Sequence, residues 1–482
     1  MSISNAMNNA YSGLSAMSRS AETVSNNVSN ALTEGYSRQQ VEYTANALGS
    51  QGSGVRIDGI TRSEDAIVTR LRRTAAAEFA NTSTKSDALA RLSGAMGEPG
   101  DAAALAVQYA AFEDALSVAI GAPDSIALQQ GILSSAKGLA TTFNQISTEV
   151  NRVRSDADAN IAKDVDTVNA SLKQIESLNA EIRMLSMSGR SISALEDQRQ
   201  IAVDRVNAII PIRQTKADNS EIALFSQGGE ILLNGSARTL EFTQTQLISP
   251  SMTLASGALS GLSINGSPVD VGISAGGSLS ANFIVRDSMA TKFQVRLDAL
   301  SVDLIERLQD PTVDLTLLAG NAGLFTDAGA GYDPADEVGI SGRISVNTSV
   351  DPATGGAIWR LRDGIGALTP GVAGESGQLI RMAGVLGDIM PASTNLGLAV
   401  AMSSAGFAEE VTSFWAAESA RTEEDHAHKQ SAHSLLRVEE LHATGVDTDK
   451  EMQSLLIIEQ AYAANARVIS VLDGLMKRLL EM

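Results

Sequence analysis

Gly272-Ile273-Ser274-Ala275-Gly276 is the stretch whose residue types and spacing match a catalytic nucleophile, the Gly-x-Ser-x-Gly turn that presents a serine hydroxyl between a strand and a helix. The chemistry would be acyl transfer, with Ser274 attacking a carbonyl carbon. It needs a helix directly after the turn, and Gly277-Ser278-Leu279-Ser280 is a poor helix start. The segment therefore reads as a loop of a β-rich region, and no catalytic residue is expected. A second cluster could hold a metal: His426, His428, His433 and His442 are all the histidines of the chain, and Glu424 and Asp425 adjoin them. On a helix, residues 426 and 428 point about 200° apart, and 426 and 433 share a face but stand roughly 10 Å apart along the axis. That is too far to share one ion, so the histidines read as a solvated helix surface, with no metal site and no cofactor.

Charge narrows the partners. Lys plus Arg total 36 against 56 for Asp plus Glu, a net charge of -20. So acidic a chain opposes nucleic-acid binding, which needs a cationic face, and Arg70, Arg72 and Arg73 read as a solvated helix face. The absence of cysteine excludes disulfides and thiolate metal sites and leaves the compartment open. The first thirty residues carry only Arg19 and Glu22 as charges and no continuous apolar run, so a cleavable signal peptide is not expected. No run reaches ~18 consecutive apolar residues, so no membrane span is expected either.

The strongest pattern lies at the two ends. Ile3, Met7, Ala10, Leu14, Met17, Ala21, Val24, Val28 and Ala31 follow at alternating steps of four and three. Leu455, Ile458, Tyr462, Asn465, Ile469, Leu472, Met476 and Leu479 do the same. Such stripes keep one seam toward a partner helix, the coiled-coil pattern, and each should be disordered in a free chain until a partner arrives. Asn465 either fixes the register of its seam or sits at the wet rim.

Between the ends, 482 residues imply about three domains. The N-terminal helix should stop near Asn30 to Gly35, followed by an extended Ser37–Thr44 and a glycine loop over 49–54. Residues 62–209 read as helical with breaks at 94–100 and 121–123; the longest helix covers 132–187, ~80 Å of rod, with Leu139, Phe143, Ile146, Val150, Val153 and Ala157 inward, a stutter at Ile161 and Val165, and Val168, Leu172 and Ile175 after it. Past Pro211 the period drops to two, and Gly228-Gly229 and Asn234-Gly235 mark hairpins. A helix over 287–308 follows, then an irregular stretch to 375 with strands at 343–347 and 358–362, then helices from about Gln378. The expected fold is α+β, mainly α: an N-terminal axial helix and extended segment (1–60), a long-helix bundle domain (61–215), an inserted β-rich domain (216–285), return helices and an irregular segment completing the bundle or the bundle and the β domain (286–430), and a C-terminal axial helix (431–482), with the termini pairing at one extremity and the sheet domain inserted at the other.

Ser12-Gly13-Leu14, Asn26-Asn27 and Asn30-Ala31-Leu32-Thr33-Glu34-Gly35-Tyr36-Ser37-Arg38-Gln39 resemble the N-terminal signature of bacterial flagellar axial proteins. Gly445-Val446-Asp447-Thr448-Asp449-Lys450-Glu451-Met452 and Glu459-Gln460-Ala461-Tyr462-Ala463-Ala464-Asn465-Ala466-Arg467-Val468-Ile469 are similar to their C-terminal signature. Gly54-Val55-Arg56-Ile57 with Arg62, Ile175–Ile182, and Arg286-Asp287 leading into Leu297–Leu300 resemble the hook-associated family within that group. Leu32 and Leu455-Leu456-Ile457-Ile458 depart from its pattern. The long central helix separates the chain from β-rich hook and rod proteins, and the Thr-x-Gly-Tyr turn separates it from flagellin.

The resemblance implies a non-enzymatic structural protein at the junction of hook and filament, outside the cell, exported by the flagellar type III apparatus. Its implied partners are its own copies in a ring, hook protein, the second hook-filament junction protein, and a cytosolic export chaperone on the C-terminal helix. The implied assembly interface comprises Ile3, Met7, Leu14, Met17, Val24, Asn26, Asn27, Asn30, Gly35, Tyr36, Leu455, Ile458, Tyr462, Asn465, Ile469, Leu472, Met476 and Leu479. The competing readings are another axial protein of hook or rod type, a cytoplasmic coiled-coil scaffold, and a hydrolase using Ser274.

Overall fold

The computed structural model describes residues 3–48, 51–97, 100–188, 190–217, 220–269, 276–391 and 401–481. The chain is α+β and mainly α. It opens with helix α1 (Ile3–Ser29) and a hairpin of β1 (Gln39–Leu48) and β2 (Gln51–Arg62). Four helices follow: α2 (Ala66–Met96), α3 (Leu105–Ile120), α4 (Ile126–Met187) and α5 (Ser193–Ile209). The glycine stretch expected as a loop is strand from Gln51 onward, because the ladder continues until Leu48 faces Gln51.

Helix α4 runs 62 residues, six longer at its start than periodicity suggested, because Ser125 caps it by accepting a hydrogen bond from the Leu128 N–H. At 1.5 Å per residue the rod is ~93 Å long. Its inward seam is the heptad-and-stutter set: Leu139, Phe143, Ile146, Val150, Ile161, Val168, Leu172 and Ile175 are all buried. One rod serves two cores. Ile132 to Ala157 pack with α2, α3 and the chain from 285 to 415, whereas Ile161 to Ile175 pack with α5 and the β-rich segment.

That segment contains β3 (Ile212–Lys216), β4 (Ile222–Ser226), β5 (Ile231–Asn234) and β6 (Ser236–Ala237) in one antiparallel sheet, and β7 (Leu240–Glu241), β8 (Leu262–Ile264) and β9 (Ser267–Val269) in another. The two hairpin turns lie where Gly228-Gly229 and Asn234-Gly235 were read.

A helix then begins ten residues earlier than expected: α6 (Gly277–Ile284), a π-helical turn (Val285–Met289) and α7 (Ala290–Gln309) form one continuous rod. Gly277 has φ +72°, and a Cβ there would sit 2.2 Å from the Ile209 carbonyl oxygen, so glycine permits this entry. The start is fastened from α4, where the Asp164 carboxylate accepts from Ser278 Oγ at 2.8 Å and Asn282 Nδ2 at 3.2 Å. The objection that no helix follows Gly272–Gly276 is thereby removed, while Ser274 itself lies outside the described residues.

The boundary between the cores is charged. Arg286 in the π-helical turn and Asp158 on α4 are both fully buried and paired at 2.6 Å, and Arg154 donates to the carbonyls of Arg286, Ser249, Pro250 and Met252. Two buried guanidiniums thus pin the 243–261 connection to the rod.

After α7, β10 (Phe325–Asp327) pairs with β11 (Ile344–Val346). The strand expected at 358–362 is instead turn and the four-residue helix α8 (Arg360–Asp363). Helix α9 (Gly377–Gly387), the short pair β12 (Met390–Pro391) and β13 (Ala401–Met402), α10 (Ser404–Thr444) and α11 (Thr448–Leu480) complete the chain.

Candidate assembly interface

The two terminal stripes meet each other. Helices α1 and α11 pack antiparallel, Asn27 against Glu451 at one level and Gly13 against Asn465 at another. On α1, Ile3, Met7, Leu14 and Met17 are half-buried and Val24 is buried. On α11, Leu455, Ile458, Asn465, Ile469 and Leu472 are half-buried, whereas Tyr462, Met476 and Leu479 remain exposed. Each seam therefore has a partner within one chain, the pairing of the termini that the layout suggested, so neither depends on an outside helix for its first partner. Asn465 lies directly over Gly13, where a Cβ would come within 2.9 Å of its Nδ2, so glycine permits the close approach of the two helices at this level.

At the other level the two signatures converge on a buried polar clasp. Asn27 is fully buried and donates through Nδ2 to the Gln39 carbonyl (2.9 Å) and to Glu451 Oε2 (3.2 Å), while its Oδ1 accepts from the Gln39 N–H (3.0 Å) and the Tyr36 hydroxyl (2.8 Å). All of its hydrogen-bonding capacity in this direction is used, as burial of an amide demands. Glu451, also fully buried, is paired with Arg38 Nε at 2.5 Å. Backbone bonds tie the same point to α10: the Arg38 N–H donates to Thr444 and the Ser63 N–H to Arg38. The clasp fixes the α10–α11 bend, the β1–β2 hairpin and the end of α1 to one another.

The turn after α1 supplies the remaining candidates. Asn30 closes it, its N–H bonded to the Asn26 carbonyl at 3.1 Å, with Asn26 otherwise exposed; Gly35 takes φ +78° beside Ile201 of α5. Burial, Asp197 and Glu451 push the Tyr36 hydroxyl up to about 12, so it stays a neutral donor. Asp197 on α5 pairs with Arg62 at 2.8 Å, and burial pushes its carboxyl up to about 6. Arg38, Glu451, Arg62 and Asp197 were not singled out as site residues; the first two sit inside the signature segments, which was the available signal.

A second apolar stripe was also missed. Ile457, Val468, Val471 and Leu475 are all exposed and, at these spacings, share a face of α11 turned about 110° from the seam that meets α1, and Leu479 of the seam lies at its edge. Leu32 is fully exposed, and among the departures from the family pattern Leu456 and Ile457 are exposed while Leu455 and Ile458 are half-buried. Apolar residues on two faces also explain why an 18-residue window within Ser404–Leu480 is apolar enough by composition to cross a membrane, contrary to expectation, though none of it is buried.

Two surface readings are corrected. Arg72 and Arg73 are not a solvated face: Asp204 bridges them at 2.7 and 2.6 Å, and Arg72 also holds Glu440 of α10 at 2.8 Å. His426 and His433 are half-buried against Phe79 of α2, whereas His428 and His442 are exposed. No cluster of three metal-capable side chains occurs among the described residues.

Residues 89–323 match the family described as flagellar hook-associated protein FlgK helical domain, and residues 440–482 match the flagellar basal body rod FlgEFG protein C-terminal family. The chain is 28% identical over 241 residues to flagellar hook-associated protein 1 of Escherichia coli (strain K12), covering 48% of this chain and 44% of that protein. It is 27% identical over 237 residues to the Bacillus subtilis (strain 168) protein of the same name, covering 46% of each. The chain thus spans less than half the length of these curated relatives. The flagellar hook junction protein FlgK from Burkholderia pseudomallei aligns with 19% identity and a TM-score of 0.45, over 54% of this chain and 47% of that one. The resemblance carried by the terminal signatures is borne out by the family and relative matches.

Proposed function

We propose that this chain is a structural, non-enzymatic component of the bacterial flagellum that joins hook to filament. The observation that carries the reading is the clasp: Asn27, Tyr36, Arg38 and Glu451 come from the two flagellar signatures, about 420 residues apart in the chain, and close on one another around the fully buried Asn27 and Glu451 side chains. Residues from the N-terminal signature and from the matched C-terminal family segment thus have a common physical task, which is to set the angle at which the terminal helical pair leaves the body. The relatives named hook-associated protein 1 support the junction as the place where that task is performed.

In this reading α1 and α11 form the axial part, and the exposed stripe Ile457–Leu479 is covered on assembly. An apolar surface of that length left in water invites association. Its partners are other copies of the chain in a ring, hook protein below and the second hook-filament junction protein above. Before assembly a cytosolic chaperone covers the C-terminal helix, and the chain leaves the cell through the type III apparatus. Immunogold labelling of sheared extracellular flagella tests this: gold at the boundary of hook and filament supports it, and protein confined to the cytoplasm refutes it. A hydrolase using Ser274 is the rival from another class, and ester turnover that vanishes with Ser274→Ala would establish it.

A further inference from the structure

Phe79 of α2 is held between two imidazoles of α10. Its ring stacks on His426 at 5.3 Å with an interplanar angle of 24°, and on His433 at 5.3 Å with 11°. The two histidines are seven residues apart, and the ~10 Å between them that forbids a shared ion is the width of two stacking contacts. Beyond Trp415 no residue of α10 is buried among the described residues. Residues 416–444 therefore lie on the body with half-buried side chains such as Leu436, and hold to α2 through this sandwich and through polar contacts, Lys429 with Glu78 at 2.9 Å and Arg72 with Glu440 at 2.8 Å.

The surroundings of the two imidazoles differ. The Nδ1 of His426 is buried without a hydrogen-bond partner among the described residues. His433 faces two fixed cations, Arg72 from α2 and Arg437 from its own helix, and burial together with these guanidiniums holds it below the ordinary histidine value. The other charged groups around the sandwich are Glu78 and Lys85 on α2, Asp425, Lys429 and Glu440 on α10, and Asp204 on α5. Lys429 occupies Glu78, Asp204 and Glu440 occupy Arg72, and Asp425 lies beside Lys85. Each carboxylate thus has a cation already. The attraction of an imidazolium for the face of the Phe79 ring is the one opposing effect.

We propose that this sandwich is a pH-sensitive latch: with both imidazoles neutral the outer half of α10 stays on α2, and at mildly acidic pH protonation releases it. The inference is independent of the flagellar role. A histidine whose closed-state value is lowered stabilises the closed form fully above ~6.5 and loses that contribution as the pH falls below it, because only the open form takes the proton readily. At pH 5.5 an open His433 of ordinary pKa is about ten parts protonated to one neutral, so it can raise opening up to about tenfold.

Hydrogen exchange of the full chain at pH 7.5 and 5.5, corrected for intrinsic rates, tests the latch. In the wild type, peptides from 70–86 and 420–440 should lose up to about tenfold protection at pH 5.5, while peptides from the buried half of α4 do not change. The double variant His426→Phe, His433→Phe keeps stackable rings that cannot take a proton, and its protection should be the same at both pH values. An unchanged wild type, a gain of protection at pH 5.5, or an equal loss in the double variant would overturn the proposal. If the double variant is already less protected at pH 7.5, an NMR titration of the wild-type imidazoles decides: His433 must titrate below ~6.5, and titration at or above it refutes the latch.

Discussion

Replacing Glu451 by alanine is the sharpest probe of the clasp. The carboxylate is fully buried and receives two hydrogen bonds, from Arg38 Nε at 2.5 Å and Asn27 Nδ2 at 3.2 Å. Its removal leaves one N–H of the buried Asn27 amide without an acceptor, although the other remains on the Gln39 carbonyl. An orphaned buried donor costs about 1–3 kcal/mol. The Arg38 side chain is 28% exposed and recovers part of its hydration, so its loss adds less than the 3–5 kcal/mol of breaking a fully buried pair. A total of about 2 kcal/mol corresponds to roughly thirtyfold more frequent opening of the α1–α11 pair from the body. The cost falls on the clasp and not on either hydrophobic core, so it should appear locally. Hydrogen exchange of the purified chain should show that loss of protection over 14–28 and 450–466, with α4 unchanged, and Glu451→Gln should lie between variant and wild type. A wild type with no protection in these helices, or a variant that loosens α4 equally, would refute the reasoning.

Arg286→Met leaves Asp158 buried and uncompensated, which should cost about 3–5 kcal/mol and lower the melting temperature; adding Asp158→Leu should recover much of it. Asp197 has a carboxyl pushed up to about 6 in the folded chain, so folding favours its protonated form: its contribution to stability is greatest below ~4 and declines as the pH rises through 6. Asp197→Asn should therefore remove part of that decline, and identical pH–stability curves for variant and wild type would exclude the effect. Leu472→Asp puts a carboxylate into the half-buried α1–α11 seam without a partner, and should leave core melting unchanged while yielding bare hooks in cells; normal filaments would contradict the seam assignment.

What could be read from the chain without its fold was whatever repeats locally. Heptad spacing identified the buried face of α4, stutter included, and double glycine and Asn-Gly identified two hairpins, because both signals lie within a few residues of the structure they specify. The errors share a cause in contacts from afar. Arg72 and Arg73 looked solvated since Asp204 and Glu440 are over 130 residues away. The start of α6 looked weak because its hydrogen bonds come from Asp164 and its backbone entry from glycine. The histidines failed as a metal site on spacing alone, yet nothing in their own segment announced Phe79. Likewise, both terminal stripes and the pairing of the termini at one extremity were legible, and the level at which Gly13 meets Asn465 was not.

The central claim is tested most directly by electron microscopy of cells from which this chain has been deleted. The account predicts complete hooks without filaments, with filament protein shed into the medium, and recovery on expressing the wild-type chain. Filaments of normal number and length on the deletion strain would contradict it.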